Sequence, residues 1–117
     1  MKVLDLFAGI GGFTLGLEAT GHFQTVAMVE KDEFAKRVLQ KNWPGIPVFN
    51  DVRDVCGIEL HRSGIKPDVL TAGWPCQDLS KSGNMEGLTG ERSGLWSEVS
   101  RLIGELRPRY ALMENVP

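Results

Sequence analysis

Cys76 and Glu114 are the side chains of this sequence best suited to covalent chemistry, and each ends an apolar run. Asp68-Val69-Leu70-Thr71-Ala72-Gly73 leads into Trp74-Pro75-Cys76-Gln77, and Tyr110-Ala111-Leu112-Met113 leads into Glu114-Asn115-Val116. The thiolate is the most nucleophilic side chain near neutral pH, and a neighbouring carboxyl group can share or move a proton. Parallel strands carry their chemistry at their carboxyl ends. An isolated Cys is more often a small buried packing residue, so its reading depends on what the rest of the chain sets beside it.

A second set of residues suits a nucleoside. Phe7-Ala8-Gly9-Ile10-Gly11-Gly12 joins the first apolar run to the first helix-like stretch. Glycines there permit a tight turn and close approach of a ligand to backbone, although a plain tight turn accounts for them equally. Thr14 stands where the dinucleotide fingerprint has its third glycine, and no Gly-Lys-Ser/Thr occurs, so neither phosphate motif is complete. Glu30 lies 19 residues past Gly11, an offset that suits the two hydroxyls of a ribose. Asp51 follows the third apolar run and is placed to accept from an adenine amino group; taken alone it reads more readily as a helix cap or turn residue.

The elements that would position these groups alternate. Strands are predicted at Lys2–Phe7, Thr25–Glu30, Ile46–Asn50, Asp68–Gly73 and Arg109–Glu114. Helices are predicted at Phe13–Thr20, from an Asp32 cap through Asn42 with Phe34, Ala35, Val38 and Leu39 on one face, at Asp54–Ser63, and from a Ser93 cap to Leu106. Leu95, Val99, Leu102, Ile103 and Leu106 face inward on the last helix. Trp43-Pro44-Gly45 reads as a stop and turn, and Pro75–Arg92 as a long loop. A β-α-β-α series of this kind implies a Rossmann-like α/β parallel sheet with helices on both faces. Its strand order reverses between the first and fourth strands, bringing nucleoside and nucleophile half-sites to one crevice.

Composition bounds the rest. The chain has 117 residues, 42% hydrophobic and 24% charged, with net charge −2. That is one modest globular domain without a basic nucleic-acid footprint. We divide it into a cofactor-binding half, 1–66, and a catalytic half, 67–117. Cys56 and Cys76 form no Cys-x-x-Cys pair, and His22 and His61 stand apart, so no metal is expected. Two isolated cysteines argue against a disulfide framework and for a reducing, cytoplasmic compartment. The apolar stretch Val3–Leu17 is interrupted by Asp5 and by four glycines, and it is too short to span a bilayer.

In order and composition these motifs resemble those of the DNA (cytosine-5) methyltransferase family. Asp5-Leu6-Phe7-Ala8-Gly9-Ile10-Gly11-Gly12-Phe13 is similar to its first cofactor motif, and Glu30 and Asn50-Asp51-Val52 to its ribose and adenine motifs. Gly73-Trp74-Pro75-Cys76-Gln77 resembles its nucleophile motif. Arg92-Ser93-Gly94-Leu95-Trp96 resembles the segment after its mobile catalytic loop, and Glu114-Asn115-Val116-Pro117 the motif that grips the target base. Lys31 departs from the pattern: many relatives carry a large apolar residue there, and its aliphatic stem replaces that contact only in part. The family's later Arg motif, target recognition domain and closing C-terminal helix are not in this sequence. The expectation is therefore a methyltransferase fold cut after the fifth strand, either a fragment or a chain whose partner supplies the remainder.

The resemblance implies S-adenosylmethionine as methyl donor, S-adenosylhomocysteine as product, and no metal. Asp5, Phe7, Ala8, Gly9, Ile10, Gly11, Gly12, Glu30, Lys31, Asp51, Val52, Gly73 and Pro75 would bind the cofactor. Cys76 would add to cytosine carbon 6, with Glu114 sharing a proton with ring nitrogen 3 and Asn115 either orienting Glu114 or serving as a turn residue. The substrate would be double-stranded DNA with its target base flipped out, in a bacterial or phage restriction-modification setting, away from membranes. Gln77, Ser80, Lys81, Ser82 and Arg92 would contact DNA, although Asp78, Glu86 and Glu91 outnumber the cations Lys81 and Arg92 and the serines taken singly read more readily as solvated loop residues. A tRNA cytosine-5 methyltransferase of the same family is the alternative, as is an inactive fragment that needs a partner chain. By itself the chain is expected to be inactive and poorly stable.

Overall fold

The structure, a computed structural model, describes residues 1–74 and 91–115. Among these, five strands form one parallel sheet in the order β3-β2-β1-β4-β5. They are β1 (Lys2–Leu6), β2 (Gln24–Val29), β3 (Val48–Phe49), β4 (Val69–Trp74) and β5 (Tyr110–Asn115). Helices α1 (Gly12–Glu18), α2 (Glu33–Asn42), α3 (Gly57–Arg62) and α4 (Glu91–Leu106) lie between them in the chain, with a 3-10 turn at Val52–Asp54. The order reverses between β1 and β4, as the sequence predicts.

The central strands form because both of their faces are covered. Leu4, Leu6, Ala27, Val29, Leu70 and Ala72 line one face and pack on Leu60 of α3 and on Val99, Leu102 and Leu106 of α4. On the other face Met28 packs on Leu39 of α2, beside Trp43, Ile46 and Val48. Central strands buried on both sides cannot alternate polar with apolar residues, which is why they read as continuous runs. The β1–β2 ladder pairs Val3 with Thr25 and Leu4 with Ala27, so Val26 is an extra, bulged residue. The bulge brings the Thr25 hydroxyl to the α1 side of the sheet, where it meets Thr14.

Several elements differ from expectation for identifiable reasons. The third strand shrinks to Val48–Phe49, since Pro47 has no N–H and joins the ladder only through its carbonyl, which accepts from Met28. The predicted helix over Asp54–Ser63 is instead the turn at Val52–Asp54, an extended Val55-Cys56 step and the shorter α3. The buried stripe of α2 runs through Ala35 and Leu39 towards Trp43, and Phe34 falls beside it, 66% exposed. Helix α4 begins at Glu91, so Ser93 lies within it and does not precede it. It ends where Arg107 turns left-handed, φ 51°, before Pro108. Among the described residues no helix is long and apolar enough to cross a membrane.

Candidate active site

The carboxyl ends of β1 and β2 are bound to each other by the residues that the nucleoside reading singles out. The backbone turns left-handed at Phe7 (φ 54°), Gly9 (φ 59°) and Gly11 (φ 98°). The Ala8 N–H donates to the Val29 carbonyl at 3.0 Å, and the Gly9 N–H donates to Glu30 Oε1 at 2.7 Å. Glu30 Oε2 accepts from the Asp32 N–H at 2.8 Å, and the Glu30 N–H donates to the Phe49 carbonyl at 2.9 Å. An ionised carboxylate has about four acceptor sites, so each Glu30 oxygen keeps a lone pair for a hydroxyl donor. The position a side chain would take at Gly9 has no atom within 4 Å. A half-buried diol acceptor beside an open glycine turn fits the adenosine part of a methyl donor.

Beneath this turn lies Trp43. A Cβ at Gly11 would lie 2.5 Å from its ring, so only glycine satisfies both the left-handed backbone and the close packing. The indole N–H donates to Glu18 Oε1 at 3.0 Å, and Glu18 Oε2 accepts from the Thr25 N–H at 3.0 Å. The sequence marks Trp43 only as part of a turn; a Trp there, with an N–H that needs a partner, is the signal that it packs inward.

Asp5 sits lower, 1% exposed, and its side chain supports the crevice from within the core. Its Oδ2 accepts from the Thr14 hydroxyl and its Oδ1 from the Thr71 hydroxyl, both at 2.9 Å. The Thr25 hydroxyl donates to Thr14 at 3.1 Å. Burial pushes the Asp5 carboxyl above its ordinary range, against the two threonine hydrogen bonds, which pull it down. The polar cluster links α1, β1, β2 and β4 through one carboxylate.

Asp51 behaves as its plainer reading suggests. Its Oδ1 accepts from the Arg53 N–H at 2.9 Å, capping the 3-10 turn, and the Arg53 guanidinium embraces the carboxylate at 3.1 and 3.0 Å. Lys31 Nζ stands 3.8 Å from the same group. These Arg53 contacts hold the Asp51 carboxyl below its ordinary value. Val52 is buried behind it.

The catalytic half is described in part. Gly73 on β4 pairs in register with Glu114 on β5, and Trp74 with Asn115. Gly73 faces Phe13 of α1, whose ring would lie 3.4 Å from an added Cβ. Glu114 is exposed, at the same end of the sheet as Gly9, Ile10, Gly12 and Glu30. Pro75, Cys76, Gln77, Ser80, Lys81 and Ser82 lie outside the described residues, and Arg92 is described only as a residue of the first turn of α4.

A doubly wound parallel sheet, a left-handed glycine turn fastened to a carboxylate on the next strand, and acidic groups gathered at the carboxyl ends define a Rossmann-like α/β protein with its candidate site at the crest of the sheet. Comparison with known proteins narrows this. Residues 1–117 match the family described as C-5 cytosine-specific DNA methylase, and the chain belongs to that family. It is 44% identical over 121 residues to the Type II methyltransferase M2.BsuMI of Bacillus subtilis, covering 100% of this chain and 29% of that protein. It is 41% identical over 116 residues to M.AluI of Cellulosimicrobium cellulans, covering 97% of this chain and 22% of that one. Among solved structures, a candidate DNA modification methyltransferase encoded within an E. coli prophage superposes with TM-score 0.77 at 33% identity, over 100% of this chain and 32% of the other. The Dnmt2 methyltransferase of S. pombe, at 21% identity and TM-score 0.73, shares the fold. The chain spans under a third of M2.BsuMI and under a quarter of M.AluI.

Proposed function

We propose that this chain carries the methyl-donor site and the nucleophile of a DNA (cytosine-5) methyltransferase. The observation that carries the reading is the Gly9–Glu30 hydrogen bond at the sheet's crest, in a chain of the C-5 cytosine-specific DNA methylase family. Residues 1–66 are its cofactor half and 67–117 its catalytic half. S-adenosylmethionine, when bound, would supply an electrophilic methyl carbon to cytosine carbon 5 and leave as S-adenosylhomocysteine. Glu30 would accept from the ribose hydroxyls, Phe7 to Gly12 would pass beneath the nucleoside, and Asp51, Val52 and Lys31 would border the adenine.

The catalytic residues answer a specific difficulty: cytosine carbon 5 is a poor nucleophile. The Cys76 thiolate adds at carbon 6, forming the C–S bond while the ring's electron pair moves toward carbon 5. Glu114 shares a proton with ring nitrogen 3 and so stabilises the electron-rich ring. Once carbon 5 is methylated it loses its proton to a base, and the thiolate leaves as the 5,6 double bond returns. In the sequence Cys76 follows by two residues Trp74, the last residue of β4, and β4 is paired with the strand that bears Glu114 and Asn115. The target base must leave the duplex to be reached, and Gln77, Ser80, Lys81, Ser82 and Arg92 are the proposed DNA contacts.

The test is covalent capture. With this chain set in a complete methyltransferase, DNA containing 5-fluorocytosine should, with the methyl donor, become attached to the protein, because fluorine cannot leave carbon 5 as the proton does. Cys76→Ala should abolish attachment and methyl transfer while retaining donor affinity. Transfer by Cys76→Ala at the wild-type rate would refute the assignment.

A further inference from the structure

Arg101 belongs to α4, yet two of its contacts serve another element. Its Nη2–H donates to the Val52 carbonyl at 3.0 Å and its Nη1–H to the Val55 carbonyl at 2.8 Å. Glu98 and Glu105, one turn to either side on the same helix, accept from Nε–H at 2.9 Å and from Nη1–H at 3.0 Å. The Glu105 oxygen that receives Arg101 also accepts the Gly57 N–H, at 2.7 Å. A Cβ at Gly57 would lie 2.7 Å from Glu105 Cβ, so Gly57 admits no side chain. Two side chains of α4 therefore grip segment 52–57 at both ends.

That segment has little backbone bonding of its own. The Asp54 N–H donates to the Asp51 carbonyl at 3.0 Å, and the Val55 N–H to Val52 at 3.2 Å. Such i→i+3 bonds are poorly aligned and seldom sustain a turn alone. Val52 and Val55 are buried, which fixes how deep the turn lies but leaves its rotation to polar contacts. A guanidinium meets two carbonyls and two carboxylates at once because its N–H groups are planar and forked; an ammonium cannot.

We propose that Arg101 is a positioning residue that holds the turn bearing Asp51 and Val52 level with Glu30, keeping the adenine and ribose ends of the donor site in register. The inference rests on the donor-binding reading above. It also explains why β3, only two residues long, is followed by an ordered turn: the order comes from α4, the helix that leads into β5 and lies against the turn.

The experiment uses the full chain with Arg101→Met, Arg101→Lys and Glu98→Gln, reading amide exchange by NMR and affinity for S-adenosylhomocysteine by calorimetry. Arg101→Met should speed exchange at Asp54 and Val55 about tenfold relative to central-strand amides and weaken binding about tenfold, the scale of one charge-assisted hydrogen bond. Arg101→Lys should restore part of both, and Glu98→Gln should change neither. Unaltered exchange at the turn, or equal acceleration throughout β1 and β4, would overturn the proposal. A loosened turn with unchanged affinity would overturn the positioning role alone. A wild-type chain that binds no S-adenosylhomocysteine would instead overturn the donor-site reading, and the turn's role in it.

Discussion

The Gly9 N–H and the Glu30 carboxylate lie 2.7 Å apart, so the turn that follows β1 is fastened to the group that ends β2. The other Glu30 oxygen takes the Asp32 N–H, so one side chain also sets the entry to α2. In Glu30→Gln, one acceptor becomes an NH2 that faces a backbone donor. We expect affinity for S-adenosylhomocysteine to fall by roughly 1–3 kcal/mol, and the melting temperature to drop as well. Calorimetry separates the two effects: a lowered melt with an unchanged dissociation constant would leave Glu30 as a fastener only.

How much of this the sequence discloses depends on distance along the chain. The β-α alternation is legible because each central strand is a short run covered on both faces, as Val69, Leu70 and Ala72 are. Gly11 and Glu30 are legible through local spacing. Trp43 is not: nothing near it says that its ring lies under Gly11. Asp5 reads as a cofactor residue because it opens the motif, yet its partners Thr14 and Thr71 stand 9 and 66 residues away, and neither looks special locally. The same non-locality hides Arg101, whose helix periodicity marks its apolar neighbours but says nothing of the carbonyls it reaches.

Gly11→Ala combines a left-handed backbone with an impossible contact at Trp43. The backbone cost is about 1–2 kcal/mol and the overpacking about 1–3 kcal/mol. Denaturant melts should therefore show a loss of several kcal/mol. A loss of only about 1–2 kcal/mol would leave the backbone cost alone and mean that the Trp43 ring moves aside freely.

Asp5 makes stability depend on pH in a set direction. Its folded pKa is raised above an unfolded value of about 3.9, so the native state binds the proton more tightly. The corresponding stability is present in full below about 3.9 and is lost as pH rises through the folded value. Asp5→Asn carries no charge, and its amide can still bond the threonine hydroxyls. Urea melts should show the Asn variant gaining on the wild type as pH rises from about 4 to 8. A constant difference across that range would mean that the folded Asp5 carboxyl is not raised above its unfolded value.

On the proposed mechanism, Glu114→Gln would keep the shape and a donor but lose the shared proton. Methyl transfer should slow far more than DNA binding weakens, because the contact strengthens as the ring gains electron density. Equal losses in rate and affinity would reduce Glu114 to a residue that only positions the base.

Tyr110, Leu112 and Met113 are 54%, 43% and 41% exposed on β5, which is an outer strand among the described residues. An uncovered apolar edge strand invites pairing between chains. Sedimentation of this chain should reveal self-association, and Leu112→Lys should shift it towards monomer. An unchanged size distribution in the variant would locate the association elsewhere.

The central place of β1 has a bearing on how the chain is made. β1 leaves the ribosome before the other four strands and pairs with β2 soon afterwards, but its other neighbour, β4, begins 66 positions past Val3. At about 5–20 residues per second that interval is roughly 3–13 s. Throughout it, one edge of β1 has no partner strand, and Leu4 and Leu6 await the α4 side of their cover. The first of these five strands to be synthesised is thus among the last to be enclosed, and the nascent chain is open to holding factors or to off-pathway contacts until β4 arrives.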